Sequence, residues 1–529
     1  MQSPPTADHV VERVPSSLRK DQKDSSPAHA HWARDIALAL TVVVGAVLRF
    51  RQYAFNRSFW YDELFLAFNV RDRSLRGLTH PLIFSQAAPI GFLWPAKVSI
   101  EAFGQSELAY RLVPLIAGIA TVACVALVGR RIFSAPAAIA AAGMIAIADQ
   151  SIHYSSEFKQ YAMEAAVAAA LLLVASRCLG TRLSGEPRHH ALLAIAGALA
   201  LICSISAIFV LAGVALVLLV EVVRLRRSEY YVNAVWVALT WTATAAVMYR
   251  VSWAKDAGNA NLHSYWKNLY GPTPWAHPGW YVSSWTSMIK AQVAISWSGV
   301  ALGLTVIGSL WLARRAPTIA IITVVTVVGT AAASWRGEYP FGGRLLLFLV
   351  PTVCLVFAAV VDAVMTFFAR YHPAPAYLVA CVCAVLLVGG SIDTAWTRAE
   401  HPYESEEMRQ VLEAMRPLFT SGDHLFVADD AALSFDFYRD RTGFADVPVA
   451  VEGPDPKLGR VPAFLTQVHR LGPGPTWILY SRLHPGTDPF GAGNTYLKEA
   501  LYFSAHVKGK VMRVIRRTGV LAVEIDQLG

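Results

Sequence analysis

The chain has 529 residues, of which 55% are hydrophobic and only 16% charged, and its formal net charge is +9. Soluble domains carry about 25% charged residues, so this composition excludes an ordinary soluble enzyme and makes a bilayer the natural solvent. The positive balance does not mark a nucleic-acid partner: Lys and Arg sit in short clusters beside apolar runs, with no basic stripe interleaved with base-stacking aromatics.

Residues 1–32, rich in Ser, Pro, Asp and Lys, lack the short apolar core of a secretory signal and read as a disordered cytoplasmic tail. Apolar runs follow at 35–50, 110–128, 135–150, 161–179, 191–222, 231–250, 291–313, 317–334, 345–369 and 375–395. Most approach the roughly 20 residues that a helix needs to cross about 30 Å of hydrocarbon. Helices are required there, because lipid offers no partner to an unpaired backbone N–H or C=O.

The 191–222 run is too long for one upright span: as a single helix it would measure about 48 Å, and it carries Ser204 and Ser206 near its middle. Arg177, Arg182 and Arg188 precede it and Arg224, Arg226 and Arg227 follow it, so both ends favour the cytoplasm. A hairpin turning near Ser204 satisfies both. The expected architecture is an α-helical polytopic membrane protein of about eleven transmembrane helices over 33–395. Its N-terminus is inside, with long external loops at 51–108 and 251–290. Arg130, Arg131, Arg314, Arg315 and the basic turn at 370–372 then face the cytoplasm. Arg51, Arg57, Arg71, Arg73, Arg76 and Lys97 lie outside, in a loop long enough to obey the charge rule poorly.

Residues 400–529 alternate amphipathic stretches such as 406–419 with apolar runs at 425–428, 476–480 and 520–525, broken by Ser-Gly-Asp and Gly-Pro-Gly-Pro turns. That pattern reads as a small α/β domain on the extracytoplasmic side. All six cysteines lie in or beside apolar runs, so no disulfide framework or thiolate metal site is legible. No G-x-x-x-x-G-K-[ST] phosphate loop is present, so the energy must come from a substrate or a gradient.

Four stretches carry candidate chemistry. Trp60, Tyr61, Asp62 and Glu63 form an acidic pair about a dozen residues beyond the first span. Transfer of a group to a hydroxyl needs a base there, and burial among aromatics is expected to raise a carboxyl's pKa toward a useful value. Solvated loop acids are the plain alternative. The 153–161 stretch, with His153, Glu157, Lys159 and Gln160, places ionisable groups at membrane depth, where Lys159 would neutralise a lipid phosphate. The 336–344 stretch places Tyr339, Gly342, Gly343 and Arg344 before a late span; the glycines permit a sharp turn and Arg344 offers a planar fork of donors to phosphate.

Gln86 opens the fourth stretch, an interfacial amphipathic element, and Glu107 and Arg111 stand four apart as a helix-surface ion pair. The Trp- and Tyr-rich 251–290 loop suits an interfacial aromatic belt better than a sugar platform, and its His263 and His277 lack metal-ligand spacing. No metal site is assigned and no other cofactor is expected, with a divalent metal left as an open alternative.

Taken in order, the acidic pair, Tyr-Ser-Ser-Glu-Phe-Lys-Gln-Tyr at 154–161 and Tyr-Pro-Phe-Gly-Gly-Arg at 339–344 resemble the C-type membrane glycosyltransferases. Within them the chain is most similar to bacterial relatives of the protein O-mannosyltransferases and aminoarabinose transferases. The likeness covers roughly 33–395 and includes Gly-Gln-Ser-Glu and Arg-Leu-Val-Pro within 104–114.

The resemblance implies a polyprenyl-phosphate sugar donor, a glycan, lipid or protein acceptor, and a bacterial inner membrane. It also implies Asp62 as catalytic base, Glu63 as a shaping or acceptor-holding partner, and Lys159 and Arg344 on the donor phosphate. Glu157, Gln160, Tyr339, Tyr61 and Gln86 complete the expected substrate-binding set. Relatives usually have arginine where Lys159 falls, and often lysine and tyrosine where Ser204 and Ser206 stand. A transporter or lipid flippase, or an O-antigen polymerase or ligase, are the competing readings. The former is disfavoured by spans nearly free of charge, the latter by the want of a strongly basic external loop.

Overall fold

The computed structural model describes residues 27–180, 186–253, 259–453, 460–483, 502 and 504–528. Most of the expected N-terminal tail, 1–26, lies outside them. Helices dominate: α1 (Pro27–Ala54), α2 (Tyr61–Asp72), α3 (Ile90–Phe103), α4 (Glu107–Ile132), α5 (Ala135–Ile147), α6 (Asp149–Tyr154) and α7 (Tyr161–Cys178) form the first half of the bundle. They are followed by α8 (Pro187–Cys203), α9 (Ala207–Leu225), α10 (Ser228–Met248), α11 (Ala260–Tyr265), α12 (Pro278–Val293), α13 (Ser298–Arg315), α14 (Pro317–Trp335), α15 (Val350–Phe368), α16 (Pro373–Gly389) and α17 (Ile392–Glu400).

Among the described residues, six helices are long and apolar enough to cross a membrane, and two bent pairs bring the number to eight. One pair, α12 with α13, turns by 92°, so the span expected from 291 starts instead at Ser298; the other, α16 with α17, bends by 48°. The remaining apolar runs fall on α1, α5 and α8. The long 191–222 run is broken where its serines stand. Ser204 leaves the helical region at φ −153°, ψ 129°, and Ser204 Oγ accepts the Ala207 N–H at 3.1 Å to start α9.

Large apolar side chains stay exposed along α1 (Leu40, Val47, Phe50), α10 (Trp236, Leu239) and α16 (Leu378, Leu386), as lipid-facing helices require. The span at 343–368 is the opposite case, with 89% of its most apolar stretch buried at the centre of the bundle.

The bundle keeps buried hydroxyls such as Thr121 and Thr326 inside its helices and carries buried charges such as Arg49 and Glu164 near helix ends. Arg49, wholly buried on α1, donates to the carbonyls of Ala146 and Ile145 at 2.9 Å each and so satisfies the frayed end of α5. Gly118 lets α4 pass the turn that follows α6: a Cβ there would lie 2.0 Å from Ser155 Oγ.

Beyond the bundle, α18 (Met408–Met415), α19 (Asp429–Tyr438) and α20 (Arg460–His469) pack on a five-stranded sheet of β1 (His424–Val427), β2 (Val449–Val451), β3 (Gly474–Tyr480), β4 (Gly509–Arg517) and β5 (Val520–Gln527). Its order is β2-β1-β3-β5-β4, parallel for β2-β1-β3 and antiparallel for the other two pairings. The apolar runs read at 425–428, 476–480 and 520–525 supply β1, β3 and β5. Phe437 joins this domain to the bundle, its ring edge-on to Phe59 and Phe68 at 5.4 and 5.5 Å.

Candidate active site

Two separate segments converge on Asp62, which sits in the first turn of α2. Lys159, in the turn between α6 and α7, donates from Nζ to Asp62 Oδ1 at 3.0 Å. Arg344, one residue beyond the left-handed Gly343 (φ 55°), brings Nη2 to 2.7 Å from Asp62 Oδ2. That second contact is a close ion pair between two largely buried side chains. Lys159 also donates to Gln86 Oε1 at 2.6 Å, and Gln160 donates to the neighbouring Ala87 carbonyl at 3.1 Å. The 83–88 segment is thereby tied to the 155–160 turn.

The Arg344 guanidinium lies among three rings, 5.8 Å from Trp60, 5.3 Å from Tyr161 and 5.3 Å from Trp266. Trp266 is the contribution of the 251–290 segment. That segment is partly helical and docks on the Arg344 turn, with the Phe341 N–H donating to Leu269 O at 2.7 Å and the Gly271 N–H to Ser334 Oγ at 2.8 Å. Trp280 and Tyr281 face Phe341, whereas Trp275 is largely exposed.

The electrostatics differ from the sequence expectation. Burial pushes the Asp62 carboxyl up, but the charges of Lys159 and Arg344 outweigh it and hold the pKa below the ordinary aspartate value. The expected upward shift considered aromatic burial alone and missed two cations that only the fold brings near. Burial in turn lowers the Lys159 ammonium against the pull of Asp62.

Other expected site residues lie around this centre. Glu63 shares no partner with Asp62: it accepts from Arg111 Nε at 2.8 Å and Nη2 at 2.6 Å, and from the Phe158 N–H at 2.6 Å. Arg111 therefore does not form the helix-surface pair with Glu107. It reaches instead to α2, because both it and Glu63 are buried and need each other, while Glu107 pairs with Arg409 of the C-terminal domain at 2.8 Å. Glu157 accepts from His153 Nε2 at 2.7 Å, with Arg57 at 3.9 Å. Burial would raise the Glu157 carboxyl, yet His153 and Arg57 hold it low.

Tyr61 turns its ring to Phe65, 4.5 Å away, and lies 4.3 Å beneath the Arg482 guanidinium. Tyr339 donates its hydroxyl to Leu345 O at 3.0 Å and packs on Phe209, so it shapes the Arg344 turn.

Sequence reasoning missed the C-terminal contribution altogether. Glu406 Oε2 accepts the Tyr61 N–H at 3.0 Å, and burial pushes its carboxyl up to about 8. Nothing local marked it, since 406 opens an ordinary amphipathic stretch. Among the described residues no group of three or more His, Cys, Asp or Glu is placed to hold a metal ion.

The family model for dolichyl-phosphate-mannose-protein mannosyltransferase matches residues 87–248. Among solved structures, ArnT from Cupriavidus metallidurans in the apo state is similar at 14% identity and a TM-score of 0.51, over 94% of this chain and 98% of that one. The archaeal oligosaccharyltransferase AglB from Archaeoglobus fulgidus, in complex with an inhibitory peptide and a dolichol-phosphate, is similar at 13% identity and a TM-score of 0.51, over 95% of this chain and 75% of that one. No curated protein matches the sequence. The chain has the fold of the C-type membrane glycosyltransferases, a multipass helical bundle with a small C-terminal sheet domain.

Proposed function

We propose that this chain is a C-type membrane glycosyltransferase that moves a hexose or pentose from a polyprenyl-phosphate donor to an acceptor hydroxyl at the extracytoplasmic face, with inversion. The observation that carries the reading is the Asp62 carboxylate held between Lys159 and Arg344 at 3.0 and 2.7 Å, where helix ends meet the C-terminal domain. The fold shared with ArnT and AglB, and a dolichol-phosphate bound by AglB, support it.

In this reading the donor phosphate enters beside Lys159 and Arg344, which neutralise the charge that grows on it as the bond to the anomeric carbon breaks. The acceptor oxygen attacks that carbon from the opposite face, its proton passes to Asp62, and polyprenyl phosphate leaves. Drawing the two cations toward phosphate relaxes their hold on Asp62 and restores its basicity. Gln86 positions Lys159, and the Trp60, Tyr161 and Trp266 rings fix Arg344. The two cations supply the charge compensation, so no cofactor is part of this reading. The N-terminus lies in the cytoplasm and the membrane is the bacterial inner membrane.

The test is turnover of a panel of labelled polyprenyl-phosphate sugars by purified protein in lipid. Asp62→Asn is expected to insert normally, bind the carrier and lose transfer by at least about 10²-fold, as removal of a general base does. Transfer near the parental rate would remove Asp62 from the base role.

A further inference from the structure

Four consecutive backbone N–H groups run up to Asp62, and three are held by side chains of the C-terminal domain. Ser58 N–H donates to Glu407 Oε2 at 3.1 Å, Phe59 N–H to Tyr438 Oη at 2.7 Å, and Tyr61 N–H to Glu406 Oε2 at 3.0 Å. Only the Trp60 N–H is met locally, by Glu63 Oε2 at 3.4 Å. The grip extends upstream, where Arg409 Nη2 donates to the Asn56 carbonyl at 2.7 Å and Ser58 Oγ donates to Gln410 Oε1 at 2.5 Å.

Glu406, Glu407 and Tyr438 are buried. Their own backbone is anchored in turn: the Glu407 N–H donates to Thr518 O at 2.9 Å, in the turn joining β4 to β5. The 56–60 segment, with no secondary structure of its own, and the first residue of α2 are thus suspended between the bundle and the C-terminal domain, and Asp62 is the first side chain beyond the last anchored N–H.

We propose that Glu406, with Tyr438 and Glu407, is a positioning element that fixes where Asp62 stands relative to the donor cations, so that the C-terminal domain forms part of the active site. The inference rests on the reading of Asp62 as the base. The Tyr61 N–H is one of the orphan donors of the α2 N-terminus, and Trp60 supplies no side-chain cap; Glu406 takes that place from another domain. Lys159 and Arg344 contact Asp62 but stand on other segments and have holds of their own, Gln86 for Lys159 and the Tyr161 and Trp266 rings for Arg344. Loss of Glu406 therefore moves the base more than it moves the phosphate site.

The experiment compares Glu406→Leu, Glu406→Gln and Tyr438→Phe in the full chain, measuring kcat and donor KM separately along with polyprenyl-phosphate binding. Glu406→Leu and Tyr438→Phe are each expected to lower kcat by about 10- to 100-fold, the cost of misplacing a catalytic group by about 1 Å, with donor KM and carrier binding within about twofold of the parent. Glu406→Gln keeps an accepting oxygen and is expected to restore most of the rate. If Glu406→Leu does not insert, Tyr438→Phe decides, since it removes one oxygen and little volume. Parental kcat in both variants, or a raised KM with kcat intact, overturns the proposal. A parental rate in Asp62→Asn would sink the function reading instead.

Discussion

Arg111 clamps Glu63 with the Nε and Nη2 edge of its guanidinium, at 2.8 and 2.6 Å, in a place where both side chains are almost wholly buried. It also donates to the carbonyls of Arg57 and Ser58 at 2.7 and 3.1 Å, so one side chain ties α4 to the segment leading into α2. Adjacent acids thereby part company: Glu63 is spent on architecture and Asp62 is left to the cations of the site.

Breaking that clamp should therefore cost folding before it costs chemistry. Arg111→Ala is expected to destabilise the protein by about 3–5 kcal/mol, because a buried carboxylate loses its partner. Thermal unfolding in detergent measures it; a midpoint unchanged from the parent would show that water reaches Glu63.

The acid limb of kcat/KM, which reports the free enzyme, should lie below the ordinary aspartate pKa of about 3.9, because Lys159 and Arg344 outweigh burial at Asp62 before donor binds. With its folded pKa depressed, the Asp62 carboxylate contributes stability above its unfolded pKa and loses it as pH falls through the folded one. Lys159→Met removes one of the two charges and should move the acid limb of kcat/KM upward. A limb that stays in place would show that Lys159 does not act on Asp62 in solution.

Arg344→Lys keeps the charge but loses the planar fork and its stacking on Trp60, Tyr161 and Trp266. Donor KM is expected to rise by about tenfold, the scale of one charge-assisted hydrogen bond. Titration of KM against donor concentration checks this, and an unaltered KM would place the phosphate elsewhere.

Glu406 should make stability fall with rising pH. Its carboxyl is pushed from 4.5 up to about 8 by burial, with Arg482, Asp430 and Glu63 facing it. Between those values the folded state binds the extra proton, so that contribution is lost as pH climbs through the window. Glu406→Gln should flatten the decline in thermal midpoint between about pH 5 and 8; an unchanged slope would assign the decline to other groups.

How far the sequence reached follows from the range of each signal. The break at Ser204, the helices on the apolar runs and three of the five strands were legible because hydropathy and its period are local. The motifs around Asp62, Lys159 and Arg344 were legible as polar islands between apolar runs. Reading Arg111 as the partner of Glu107 failed because i,i+4 spacing describes a helix surface, and this helix end is covered by another domain.

What the sequence determined by itself is that the chain must live in a bilayer and keep its charged clusters at helix ends, since only helices satisfy the backbone in lipid and charges are costly within it. What only the tertiary structure decided is the environment of Asp62. Two cations from distant segments reverse the sign of its expected shift, and Glu406, 344 positions further along the chain, holds the backbone just before it. Coulomb and hydrogen-bond energies depend on separation in space, which neither spacing nor composition encodes.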